Sequence, residues 1–272
     1  MARICVVTGS ASGIGAATAR LLRRQGCHVI GSDLHDADVV ADLATTDGRA
    51  ALVRGVSRLA GGRIDAVVAN AGGGTPETSL SLNFFGAVAT LAGLRPLLEN
   101  SPAPRAVAVS SIASLGTTPT EIVERCLDMD EPGAIAAART AFGHGGIRAS
   151  GTDSVPDSGQ TGLCLYATAK HALQDWCRRV APTREWAGAG IALNVVALGF
   201  YDTPAAAYVL SNPALRAAMA ARVPLRGAFP GRPEEAAALL AWCISAENAQ
   251  MTGQVVFADG GYEVQLRQDR AA

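Results

Sequence analysis

Tyr166 and Lys170 stand four positions apart in "LYATAKHAL" (165–173), and Lys170 is the one lysine in a chain whose other basic residues are all arginine. Residues i and i+4 of a helix share a face, so a phenol and an ammonium at this spacing can enter one cleft. A free phenol ionises near pH ~10, too high for a group that must give and take a proton at neutral pH. A nearby cation favours the phenolate and lowers that value. Lysine is a slender point charge with three donors and can sit beneath a phenol, where the broad guanidinium fork does not fit. The pair therefore predicts proton transfer at a substrate oxygen; the bland alternative is a packed tyrosine beside a solvated lysine.

A second chemistry-bearing stretch is "TGSASGIG", Thr8 to Gly15. Glycines 9, 13 and 15, with Ser12 and Ile14 between them, leave backbone amides uncovered at a helix N-terminus, whose partial positive charge suits a pyrophosphate. Asp33 ends the next predicted strand, where a carboxylate can accept bonds from both hydroxyls of an adenosine ribose. Its competing role is a strand-end turn former. A carboxylate there repels a 2′-phosphate, and neither Ser12 nor Leu34 supplies a compensating cation, so NAD is favoured over NADP.

These residues need a scaffold, and alternation of element types supplies one. "ICVV" (4–7), "HVIGSD" (28–33), "IDAVVANAG" (64–72), "RAVAVSSIA" (105–113), "GIALNVVALG" (190–199) and "GQVVFADGG" (253–261) read as strands, separated by Ala- and Leu-rich helical patterns. Strands apolar on both faces and separated by helices imply a parallel sheet covered on both sides. The predicted fold is α/β: a single-domain Rossmann-type doubly wound parallel sheet of about seven strands over 1–262, with a polar C-terminal tail at 263–272.

The motif order T-G-x-x-x-G-I-G, "NAG" (Asn70, Ala71, Gly72), Asn83 in "SLNFFG", "SS" (Ser110, Ser111) and Y-x-x-x-K resembles the short-chain dehydrogenase/reductase family, from the first strand to "DGG" (259–261). Within it, "GIGAAT", "HDADVVADLAT" and a long insert are similar to the bacterial 3α-hydroxysteroid dehydrogenase/carbonyl reductase group. The resemblance places Asp42 and Leu43 at the adenine ring and Asn70 to Gly72 beside the adenosine ribose. It makes Tyr166 the acid or base and Lys170 a clamp on the nicotinamide ribose. Ser111, rather than its neighbour Ser110, polarises the substrate oxygen, and Asn83 holds a water in the proton relay. The implied reaction is hydride transfer between nicotinamide and a secondary alcohol or ketone, by a homodimer or homotetramer.

Two departures from the family pattern stand out. Leu198 replaces the usual proline in "NVVALGFYDT", which removes a constraint on the turn and predicts a looser nicotinamide pocket. Gly199 and Thr203 stay in register, Thr203 either contacting the nicotinamide amide or capping a helix. The other departure is the insert, 113–165, with helical patterns in "PTEIVERCL" and "EPGAIAAARTAF" before the run "GHGGIRASGTDSVPDSGQTG", which reads as a mobile loop. It reshapes an oligomer interface or covers one edge of the substrate cleft. Segment 203–230 resembles a substrate lid, in which Tyr208, Leu210, Met219 and Phe229 line an apolar pocket or face the core. A steroid, terpenoid, alicyclic ketone or polyketide would suit the former.

Composition narrows the partners. The chain has 272 residues, 49% apolar and 17% charged with formal net charge -1, and no basic stripe, so nucleic acid is not expected. Neither a signal peptide nor a membrane span is read from the sequence. The six cysteines (5, 27, 126, 164, 177, 243) show no C-x-x-C pair or metal-ligand spacing and read as small buried hydrophobes of a cytoplasmic protein, with no metal. His144 and His171 show no catalytic partner. The alternative to an enzyme is a nicotinamide-binding regulatory protein without turnover, against which the intact Ser111, Tyr166 and Lys170 count.

Overall fold

The computed structural model describes residues 2–142 and 157–271. Seven parallel strands form one sheet: β1 (Ile4–Thr8), β2 (His28–Asp33), β3 (Val39–Val40), β4 (Ala66–Ala69), β5 (Arg105–Ser111), β6 (Ala192–Leu198) and β7 (Val255–Ala258). Their spatial order is β3-β2-β1-β4-β5-β6-β7. Six match the runs read from sequence; β3 is two residues long and carries no periodicity to read. All of β4 is buried and β5 is buried to its last residue, Ser111. That is the burial expected of strands covered on both faces.

One face is covered by α1 (Gly13–Arg24) and α9 (Pro233–Cys243), which close over Val7, Val68 and Val109, Leu240 of α9 being buried with them. The other carries α2 (Thr46–Ala60), α3 (Ala87–Leu98) and α6 (Asp157–Val180), around Leu52, Leu91 and Leu173. The chain moves outward from β1 through β2 and β3, then returns to place β4 on β1's other side. This reversal opens a crevice at the C-terminal ends of β1 and β4, where doubly wound sheets bind ligands.

In the insert, α4 (Thr120–Leu127) and α5 (Glu131–Phe142) form an extra layer, α4 packing on both α5 and α6. Ile122, Cys126, Ala134 and Phe142 are buried in the same cluster as Leu173 and Phe84. Of the run expected as a loop, 143–156 lie outside the described residues, and from Asp157 onward the chain is already helical within α6.

Segment 203–230 contains a short 3₁₀ turn (Pro204–Ala206), α7 (Ala207–Ser211) and α8 (Pro213–Ala220). Neither helix has a buried residue, and Tyr208 is exposed, so these side chains do not face the core. The polar C-terminal stretch forms α10 (Tyr262–Ala271), whose Arg270 donates to Leu115 O at 2.9 Å. Among the described residues, Ser81–Leu98 is the one helical stretch long and apolar enough to span a membrane, and most of it is buried in the core. Four of the six cysteines are buried; Cys27 and Cys164 are only half-buried.

Ile122 is fully buried where the insert meets the main core. Truncation to alanine should cost roughly 2–5 kcal/mol. Because the cluster is continuous, Ile122→Ala should shift a single urea transition to lower midpoint, by fluorescence and circular dichroism alike. A separate early transition would show the insert melting on its own.

Candidate active site

At the end of β1 the chain turns through Gly9 and Gly13, both at positive φ (69° and 51°). A Cβ on Gly15 would lie 1.9 Å from Gly9 O, so only glycine lets α1 start this close beneath the strand. Ser12 is the N-cap residue, its side chain makes no capping bond, and the first turn of α1 holds no acidic residue. The helix's positive end is thus left uncompensated, facing the crevice, which suits a diphosphate. Ile14 packs against the core cluster beneath it.

Asp33 sits at the lip of this turn, Oδ2 accepting from Ala11 N (2.8 Å) and Oδ1 from Leu34 N (2.7 Å). The carboxylate is therefore held in place by backbone while each oxygen keeps accepting capacity. Leu34 is exposed and Leu43 buried, and Asp42 Oδ1 accepts from Ala44 N at 2.9 Å. Asn70 Nδ2 donates to Thr8 O and Ala71 N to Thr8 Oγ1, each at 3.0 Å, tying the ends of β4 and β1 together. A Cβ on Gly72 would meet Asn83 Oδ1 at 2.9 Å and Lys170 Nζ at 3.2 Å. Gly72, Asn83 and Lys170 therefore converge.

Tyr166 and Lys170 lie on one face of α6, with Nζ 5.6 Å from the phenol ring centroid. Lys170 is buried and donates to Val109 O on β5 at 2.8 Å. Burial lowers its amine from 10.5 to about 8. Burial also holds the Tyr166 phenol above its ordinary value, with the Ser111 hydroxyl working in the opposite direction. In the chain by itself desolvation outweighs the Ser111 hydrogen bond; the lowering expected from the ammonium acts together with the positive ring of an oxidised nicotinamide.

Ser111 caps the 3₁₀ turn Ile112–Leu115 through Ala113 N and faces Tyr166. Ser110 points the other way, into the sheet–helix interface, where its Oγ donates to Lys170 O at 3.1 Å. Asn83 lies in a π-helical turn, Ser81–Gly86. Its Nδ2 donates to Gly73 O (2.9 Å) and Ser79 O (2.8 Å), and its Oδ1 accepts from Gly73 N (3.0 Å). Its side chain is thereby fixed by the loop next to Gly72.

Gln174 joins this group although no motif in the sequence marks it. Its Nε2 donates to Ser110 Oγ (2.9 Å) and Ser114 Oγ (2.7 Å), and Ser114 Oγ donates to Ser111 O (2.6 Å). It continues the stripe 166, 170, 174 on α6, a signal available in the i+4 spacing. His171 lies one residue round the helix, 3.5 Å from Asp175 and half-exposed.

Leu198, the last residue of β6, is buried and in register with Ser111 on one side and Ala258 on the other. A Cβ on Gly199 would stand 2.7 Å from Asp259 Cα. Thr203 starts the 3₁₀ turn without a side-chain cap, its methyl carbon 3.3 Å from where a Cβ on Gly13 would be. It closes over the glycine turn from above. A cavity of about 520 Å³ lies beside the ends of β6 and β7, lined by Phe200, Tyr201, Phe257 and Asp259 and by neither Tyr166 nor Ser111.

Residues 3–123 match the model of a family described as short chain dehydrogenase, and residues 134–263 that described as enoyl-(acyl carrier protein) reductase. The 3-alpha-hydroxysteroid dehydrogenase/carbonyl reductase of Comamonas testosteroni is 32% identical, over 97% of this chain and 98% of its own. The cis-4-hydroxycyclohexanecarboxylate dehydrogenase of Sinomonas cyclohexanicum is 32% identical, over 96% of each chain. The crystal structure of the 3-alpha-hydroxysteroid dehydrogenase of Pseudomonas sp. B-0831, complexed with NADH, superimposes with a TM-score of 0.83 at 36% identity, over 97% of this chain and 98% of that one.

Lys170 makes the site costly. An amine at about 8 in the folded chain and 10.5 when unfolded disfavours folding by roughly 3 kcal/mol below the folded value. The unfolded chain binds the extra proton between those values, so the cost fades as pH rises through 10.5. Lys170→Met should be more stable than wild type at pH 7, and that advantage should shrink by roughly 2 kcal/mol by pH 10. Urea denaturation of both proteins across this range checks the sign; a pH-independent difference would contradict it.

Proposed function

The chain belongs to the short-chain dehydrogenase family, and from that premise we propose that it is an NAD-dependent oxidoreductase interconverting a secondary alcohol and a ketone on a cyclic, largely apolar substrate. Its relatives act on hydroxyl and carbonyl groups and include hydroxysteroid dehydrogenases. The observation that carries the reading is the buried Lys170 ammonium 5.6 Å from the Tyr166 ring, with the Ser111 hydroxyl facing the phenol. The cyclic substrate class is supported by two relatives whose names specify a steroid and a cyclohexane ring bearing the reacting hydroxyl.

A nicotinamide dinucleotide bound along Gly9–Gly15, Asp33 and Asn70–Gly72 would donate or accept the hydride. Asp33, fixed by Ala11 and Leu34, receives the ribose hydroxyls and disfavours a phosphate in their place. Ser111 donates to the substrate oxygen as negative charge grows there. Tyr166 gives that oxygen a proton in reduction and removes one in oxidation. Lys170 bonds the nicotinamide ribose and holds positive charge beneath the phenol, while Asn83 positions a relay water. Gly199 and Thr203 bound the nicotinamide end, and Asp42 and Leu43 the adenine end. Segment 203–230, with its half-buried Leu210, Met219 and Phe229, covers the substrate. The assembly is a homodimer or homotetramer, favoured by large apolar side chains exposed at Trp242 on α9 and Val264 on α10. The relatives described are named as enzymes, which lends a turnover-free regulatory role no support.

NADH absorbance followed with a panel of cyclic secondary alcohols and ketones tests this. Turnover should appear with NAD and be at least ~100-fold lower with Tyr166→Phe, which keeps the ring and removes the proton. Asp33→Ala should narrow the preference for NAD over NADP. Tight NADH binding without turnover on the whole panel would sink the enzyme reading.

A further inference from the structure

The insert supplies none of the proposed catalytic or cofactor-contacting residues, yet one of its side chains reaches the cofactor side of the molecule. Glu131, at the start of α5, receives Arg49 of α2 through two parallel bonds, Nη1 to Oε2 at 2.5 Å and Nη2 to Oε1 at 2.8 Å. The pair is largely buried, with side chains 11% and 23% exposed. Burial pushes the Glu131 carboxyl up, but bonds from Arg49 and Ser81 more than reverse it and hold it below the usual carboxylate range.

Arg49 does more than join two helices. Its Nε donates to Leu43 O (2.8 Å) and its Nη2 to Ser81 O (2.6 Å), with Ala44 O at 3.3 Å. The guanidinium lies 5.9 Å from the Phe85 ring centroid. Leu43 follows Asp42 in the segment that leaves β3, and Ala41 N of that segment donates to Asp33 O. Ser81 opens the π turn that carries Asn83, and a Cβ on Gly86 at its end would stand 2.8 Å from Leu43 O. One planar cation thus fixes the carbonyl of the expected adenine rim, the start of the Asn83 turn and the N-terminus of α5 in the insert. Glu131 orients it: a bidentate carboxylate fixes the plane of the fork and so the direction of the remaining donors.

We propose that Glu131 and Arg49 are positioning residues for the adenosine half of the dinucleotide, so that the insert preorganises the Asp42–Leu43 rim. The inference rests on the nicotinamide reading above. Without the carboxylate, the guanidinium is free to rotate, and the rim must be ordered by the ligand at the ligand's expense.

The test compares Glu131→Gln, which keeps shape and one acceptor, with wild type, reading NADH affinity by fluorescence. Reduced nicotinamide mononucleotide, which lacks the adenosine, is the second probe. NADH should bind about tenfold more weakly, a loss typical of one charge-assisted pair. The mononucleotide affinity should be unchanged. Arg49→Met should show the same selectivity, and combining the two should add less than the sum of the single effects. Equal losses for both probes, or unchanged NADH affinity beside a lowered melting temperature, would reduce the pair to a plain structural strut. A wild-type chain that binds neither probe overturns the nicotinamide reading, and this inference with it.

Discussion

The burial of one ammonium is the constraint around which the rest of the site is arranged. Lys170 sits between β5 and the Tyr166 ring, and its hydrogen bond is to a strand carbonyl rather than to a carboxylate. Among the described residues it has no anionic partner; a buried cation so placed is expensive, and an acidic neighbour would offset that cost. In the proposed mechanism a carboxylate here would also cancel the positive field beneath the phenol. The cost is tolerated because α6 is pinned to β5 by other means: Ser110 and Gln174 bond across the interface, and Ala169, Ala172 and Leu173 are buried against the sheet.

The topology brings the remaining parts to the same place. Parallel strands end together, so Thr8, Ala69, Ser111 and Leu198 share one edge of the sheet, and the segments leaving those strands line a common crevice. The glycine turn comes after β1, Asp33 ends β2, Asn70–Gly72 come after β4, and Gly199 comes after β6. Close approach decides the residue type at several of these points. Gly15 lies against Gly9, Gly72 against Asn83 and Lys170, and Gly199 against Asp259. A methyl group at any of them would push apart two elements that the site needs in contact.

The features legible in the sequence are local ones. The Tyr166–Lys170 pair, the Thr8–Gly15 turn and the strand-end position of Asp33 each depend on neighbours within a turn or two of chain. The alternation of strands and helices defines the sheet, apart from the two-residue β3. Features that depend on distant contacts are not legible. Arg49 and Glu131 are 82 positions apart, and nothing in either segment marks the other. The raised Tyr166 value is not legible because spacing reveals the neighbouring cation but not the desolvation of the phenol. The place of Leu198 in the strand ladder, between Ser111 and Ala258, is visible only when both neighbouring strands are known. Gln174 falls between these cases: its spacing from Lys170 is visible in the sequence, but the two serines it binds are not.

Charge left uncompensated is the feature these local and distant contacts share. The first turn of α1 carries no acid and Lys170 bonds a carbonyl, while Asp33 is held by backbone amides rather than by a cation. Elsewhere the chain pairs its charges freely, as in Arg20–Glu234, Arg125–Asp130 and Arg232–Glu235. On the proposed reading, a molecule with a diphosphate in its middle, ribose hydroxyls at one end and a polarised ring at the other would satisfy these groups together. The crevice would then gain from binding such a ligand what it forgoes in the folded chain alone, and the bound state would be stabilised over the free one by that difference.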